Sequence, residues 1–126
     1  MKVLMIEQHP LVLRGRSEEL RRSGFEVVPT NNYEEAWQLA LQHAPHVVLA
    51  RVRRDARDEA FAFCDHVRRE PSLSDTLLIA LINYSGWIRV GEATSAGFHH
   101  ELSFHISAEE LVRQLNLQPG RIPLVP

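Results

Sequence analysis

Cysteine occurs once in this 126-residue chain, at Cys64, which excludes an internal disulfide and suits a reducing compartment. Long apolar runs are missing as well. None approaches the roughly 18 residues that a membrane-spanning helix requires. The opening Met1-Lys2-Val3-Leu4-Met5-Ile6-Glu7 reaches an acid too soon for a signal peptide, so the expected address is the cytoplasm. A large excess of one sign of charge is missing too: the formal net charge is −2, which gives no global reason to expect nucleic acid or an anionic membrane as a partner. No nucleophile, base and orienting group can be assembled from the pattern, and an enzyme is not expected.

What is present fits one soluble domain with one core, with 44% hydrophobic and 24% charged residues. The chain is organised around His46-Val47-Val48-Leu49-Ala50-Arg51, a short apolar stretch that ends abruptly in charge. Its β-branched content predicts a central strand covered on both faces. Its last residue would then emerge at the carboxyl edge of a parallel sheet, where such folds place their chemistry.

Lys2 to Glu7 reads as a first buried strand. A helix follows from Pro10, with Leu13, Ser17 and Leu20 on one face, and ends at Gly24. Phe25 to Thr30 is a second strand, and its Pro29 argues for an edge position. Asn32 with Glu35 forms a capping box that opens a helix with Ala36, Leu39 and Ala40 inward. Ala44-Pro45 stops it before the third strand. Asp58 to Arg69 is a third helix carrying Phe61 and Cys64. After a break at Pro71–Ser74, Thr76 to Ile82 forms a fourth strand, Trp87 to Ala96 a short helix and Glu101 to His105 a fifth strand. Ser107 with Glu110 is a second capping box, opening a helix through Leu111 and Leu115. From Asn116 onward, Gly120 and three prolines predict a tail or linker, so the domain is expected over residues 1–115 and the tail over 116–126. Strands alternating with helices at this spacing predict an α/β fold, with five parallel strands and helices on both faces.

In their order and spacing, several segments resemble the receiver domain of bacterial response regulators. The matching pieces are Lys2 to Val12, Gly24-Phe25-Glu26-Val27-Val28, Tyr33-Glu34-Glu35-Ala36, Pro45-His46-Val47-Val48-Leu49, Ala96-Gly97 and Ser107-Ala108-Glu109-Glu110-Leu111. The resemblance implies a flavodoxin-like fold with strand order 2-1-3-4-5, in agreement with Pro29 on an edge. It also implies that phosphotransfer would need an aspartate ending the third strand, an acidic pair after the first that holds Mg²⁺, a hydroxyl ending the fourth and a lysine ending the fifth.

This chain keeps almost none of those groups. Arg51 stands at the phosphoacceptor position, Gln8 replaces the acid beside Glu7, Ile82 stands at the hydroxyl position and Phe104 at the lysine position. Glu101 occupies the place of the family's switch aromatic. An arginine cannot form an acyl phosphate, because it is a permanent cation without a nucleophilic carboxylate. One glutamate beside a cation is also a poor Mg²⁺ site. Losing the hydroxyl and the lysine removes the electrostatic clamp on a transferring group. The expected module is therefore a pseudo-receiver, independent of phosphorylation and without a cofactor. Two arrangements of Arg51 remain open at this point. Either it pairs with Glu7 from the neighbouring strand, or it points into solvent.

Other constellations are weaker. Arg51, Arg53, Arg54 and Arg57 are interleaved with Asp55, Asp58 and Glu59, as in a solvated loop. The seven histidines divide between the two ends of the sheet, with no pair spaced for a metal on one helix. The loop Glu7-Gln8-His9-Pro10 has no glycine to cradle a flavin phosphate, and it lacks the Asp-x-His-x-x-Gly pattern of cobalamin binders. In the family, the surface of helix four, strand five and helix five is the usual partner or dimer face. By that resemblance Trp87, Ile88, Val90, Glu101, Phe104 and Ile106 are interface candidates. The expected function is a signalling module that binds a protein partner or itself, either alone or as part of a longer regulator such as a transcription factor. The alternative is a receptor for a small anion or metabolite in the Arg51 crevice.

Overall fold

The computed structural model describes residues 1–85 and 88–117. Five strands, β1 (Lys2–Ile6), β2 (Glu26–Thr30), β3 (Val47–Val52), β4 (Leu77–Ile82) and β5 (His100–Ser103), alternate with five helices. The helices are α1 (Pro10–Arg22), α2 (Tyr33–His43), α3 (Arg57–Arg69), α4 (Glu92–Ala96) and α5 (Ala108–Asn116). The sheet is parallel throughout, in the order β2-β1-β3-β4-β5. This is the flavodoxin-like receiver arrangement expected. Pro29 lies on the edge strand β2, where its missing N–H leaves no gap in a central ladder.

Alternation along the strands sends side chains to two cores. Leu4, Ile6, Val48, Ala50, Val52, Leu78, Ala80 and Ile82 pack with Ala36 and Ala40 of α2 and with Phe63 and Cys64 of α3. Val3, Met5, Val47, Leu49, Ile79 and Leu81 pack on the other face with Leu20 of α1 and Leu111 and Leu115 of α5. The N-cap half of each predicted capping box forms, while the Glu35 carboxylate turns to the Thr30 hydroxyl and that of Glu110 to Arg113 and Gln114. The Asn32 side chain accepts from the Glu35 N–H at 2.7 Å, and the Ser107 hydroxyl accepts from the Glu110 N–H at 3.1 Å. α2 ends on Ala44 in the left-handed region, with φ 43°.

Most strand and helix ends fall within a residue of those expected, and the differences at β3, β5, α4 and α5 bear on the site. β3 runs one residue further, through Val52, because its register with β4 continues to Ile82. Arg51 is therefore next to last in its strand. β5 is His100–Ser103, and Phe104 and His105 lie beyond it. α4 is Glu92–Ala96 rather than a helix from Trp87, because Gly91 immediately before it adopts φ 89°. α5 includes Asn116, so helix persists one residue past the expected boundary. Residues 118–126 of the expected tail lie outside the described residues.

Candidate functional site

The rim at the carboxyl ends of β1 and β3 brings the sequence candidates together. Glu7 follows β1 directly, and its N–H donates to the carbonyl of Thr30 at 3.0 Å. Parity along the strands puts Glu7 and Arg51 on the same side of the sheet as Val3, Met5, Val47 and Leu49. There Arg51 Nη1 donates to Glu7 Oε1 at 2.9 Å. Of the two open arrangements, the structure adopts the pair. Glu7 is 1% exposed and Arg51 is 16% exposed, so the pair is withdrawn from water rather than displayed to it. The second Glu7 oxygen accepts the His9 N–H at 2.8 Å, where the chain turns into α1.

Phe104 completes the arrangement. The Arg51 guanidinium carbon lies 3.5 Å from the centre of its ring, and that of Arg16 lies 5.1 Å from the same centre. Two cations thus share one aromatic quadrupole. The position of Phe104 is fixed through its backbone. Its N–H donates to the Ile82 carbonyl at 2.8 Å, and its carbonyl accepts from Arg16 Nη2. Burial pulls the Arg16 guanidinium below its ordinary range, and the neighbouring Arg51 adds to this, while Glu19 and Glu7 oppose it.

The Arg51 backbone is held as firmly as its side chain. Its carbonyl accepts from the Tyr33 hydroxyl at 2.8 Å and from Gln8 Nε2 at 3.4 Å. Burial, with Glu7 nearby, pushes the Tyr33 phenol well above its ordinary range, so it stays a donor. Glu7, Arg51, Phe104 and Arg16 therefore join β1, β3, the segment after β5 and α1. Arg16 and Tyr33 were not among the sequence candidates. Ile82 stands where expected on β4 and is fully buried.

A cleft of about 410 Å³ opens beside this rim, lined by Arg51, Val52, Arg53, Arg54, Asn83 and Ile88 among others. Its charges largely answer one another. Arg53 pairs with Asp55 at 3.0 Å, and just outside the cleft Arg57 pairs with Glu92 at 2.7 Å. Among the described residues no three His, Cys, Asp or Glu side chains cluster closely enough to hold a metal. Among the same residues no helix is long and apolar enough to cross a membrane. Cys64 is fully buried beside Gly97, and burial first of all pushes its thiol up to about 11. It is a core residue.

The expected interface set divides. Val90 is 82% exposed, but Ile88 is 4% exposed and belongs to the core. Ile88 precedes α4 rather than lying on it, so its side chain turns inward, which corrects its assignment to a surface. Ile106 packs partly buried against the α1–α5 core, and Phe104 is taken up by the two arginines. Glu101 is half-buried, and its carboxylate accepts hydrogen bonds from Tyr84, Gly91 and Thr94. Trp87 lies outside the described residues.

The sequence matches no protein-family model and no curated protein. Solved structures do match. The chemotaxis response regulator CheY4 of Vibrio cholerae superposes with a TM-score of 0.80 at 22% identity, over 91% of this chain and 95% of that one. The receiver domain of the sensor histidine kinase PA1611 of Pseudomonas aeruginosa, which has a magnesium ion coordinated in its active-site cleft, gives 0.79 at 19% identity over 91% and 93%. The signal receiver domain of a histidine kinase from Syntrophus aciditrophicus gives 0.79 at 17% identity over 91% and 86%. At these identities the likeness establishes the fold, which is that of receiver domains along nearly the whole chain.

Proposed function

We propose that this chain is a response-regulator-like signalling module of the cytoplasm that works without phosphorylation and is not an enzyme. The observation that carries the reading is the Arg51–Glu7 pair. At the rim where receiver folds place their phosphoacceptor, a guanidinium is held at 2.9 Å from the remaining acid. A cation there has no nucleophilic oxygen to give to a phosphoryl group. It also turns the Glu7 carboxylate inward, away from a role as an anionic ligand for Mg²⁺. Phe104, stacked on Arg51, fills the place that a lysine would need in order to contact phosphoryl oxygens.

On this reading the module transmits by binding a protein partner or a second copy of itself. The surface of α4, β5 and α5 is the face proposed for it, with the exposed Val90 at its edge and a cleft of about 490 Å³ lined in part by Val90, Leu102 and Gln114. Control of transcription through an attached output segment is the form of regulation that this architecture suits. The small-anion reading is less well supported, since Arg51 is already engaged by Glu7 and Phe104. Incubation with acetyl phosphate and Mg²⁺, followed by intact mass measurement, tests the proposal. No phosphoryl adduct is expected, and a stoichiometric adduct refutes it. Sedimentation of the same samples should give one oligomeric state, unchanged by the treatment.

A further inference from the structure

Glu101 is where β5 meets the chain leading into α4. Three donors from outside β5 converge on its carboxylate. The Tyr84 hydroxyl donates to Oε1 at 2.8 Å, the Gly91 N–H to Oε1 at 2.9 Å and the Thr94 N–H to Oε2 at 2.8 Å. Tyr84 belongs to the turn after β4, Gly91 is the residue before α4, and Thr94 lies within it. One side chain therefore ties three separate points of the chain to β5.

α4 depends on such help. It has five residues, with no side-chain cap from Gly91, which precedes it in the left-handed region. A single turn of helix does not hold itself in water. Its first N–H groups need partners, and Glu101 supplies two of the acceptor contacts. A second tether comes from α3, where Arg57 Nη1 donates to Glu92 Oε1 at 2.7 Å, while Glu92 Oε2 accepts the Arg89 N–H at 3.1 Å. Partial burial alone would raise the Glu101 carboxyl, but the Gly91, Thr94 and Tyr84 hydrogen bonds hold it below its ordinary range. Burial first, and this carboxylate second, push the Tyr84 phenol up to about 12.

We infer that Glu101 is a permanent latch: it fixes the start of α4 and the turn after β4 against β5, so that the surface bearing Val90, Leu102 and Gln114 is presented in one arrangement. This rests on the function proposed above, because a surface that no phosphoryl signal rearranges must be held by other means. The latch differs from an aromatic switch in kind. A buried aromatic ring can choose between two rotamers, whereas a carboxylate with three donors has one arrangement that satisfies them all.

Residue-resolved amide hydrogen exchange on the intact chain tests the latch. In Glu101→Gln, which keeps the shape but loses the charge, the Gly91 and Thr94 amides should exchange about tenfold faster or more. Glu101→Ala should exceed that, Tyr84→Phe should fall short of it, and the β1 and β3 amides should stay as they are. Unchanged protection of Gly91 and Thr94 in Glu101→Gln overturns the inference. So does an equal acceleration in β1 and β3, which would make Glu101 an ordinary stability residue. Should Glu101→Ala fail to fold, Glu101→Gln and Tyr84→Phe decide. Failure here is distinct from failure of the proposed function, which is read from the phosphoryl adduct on the unaltered chain.

Discussion

Arg51 Nη1 donates to Glu7 Oε1 across 2.9 Å, with both groups turned away from solvent. The energetic meaning of this pair depends on which partner is removed. Arg51→Ala strands an almost fully buried carboxylate and should cost about 3 kcal/mol in urea denaturation. Replacing both groups with apolar residues of similar volume, as in Glu7→Leu with Arg51→Met, should cost much less. Equal losses in the single and double variants would show that the pair is not coupled.

The Phe104 ring stabilises the same guanidinium from the other direction. Phe104→Leu keeps most of the apolar bulk and removes the ring quadrupole, and should cost about 1 kcal/mol. Phe104→Lys places another cation beside Arg51 and Arg16 and should be the more damaging change. Thermal melts of the two variants at low salt give the order. If Phe104→Lys is the milder change, the stacked arrangement is wrong.

Tyr33→Phe removes one hydroxyl from a closed site and leaves the ring contact with Phe63 in place. The Arg51 carbonyl then keeps only the long 3.4 Å contact from Gln8. A loss of about 1 kcal/mol is expected, measured by chemical denaturation. No loss would mean that another donor takes over.

His99 makes stability depend on pH. Its Nδ1 accepts the Leu78 N–H at 2.9 Å, so this nitrogen must be unprotonated in the native state. Burial, then the charge of Arg68 and then His100 lower its affinity for a proton below the ordinary value of 6.5. The unfolded chain therefore binds that proton more readily, and the contribution of His99 is complete above about 6.5 and is lost as pH falls through the lowered native value. Denaturation midpoints for the protein and for His99→Gln should converge as pH drops from neutral. Parallel curves would contradict this.

Much of the fold was legible because its strands are continuous apolar runs broken by strong punctuation. Pro29, Ala44-Pro45 and the two capping boxes acted locally, and local signals survive in the sequence. The juxtaposition of Glu7 with Arg51 was accessible too, since both lie at the carboxyl ends of neighbouring apolar runs. The contributions of Arg16 and Tyr33 were not accessible. Each depends on how a helix is rotated and advanced over the sheet, and no pattern within α1 or α2 records that. α4 is shorter than the Trp87–Ala96 helix expected, because Gly91 in the left-handed region delays its start to Glu92. The inward turn of Ile88 follows from the same local fact.

The most direct test is a two-dimensional NMR titration of the isotopically labelled chain with beryllofluoride and Mg²⁺, reading the amides of Glu7, Gln8, Arg51 and Phe104. A rim closed by the arginine predicts that these signals stay in place at saturating reagent, as do those of Gly91 and Thr94. Saturable shifts at Glu7 and Arg51 that propagate to Gly91 and Thr94 would contradict it.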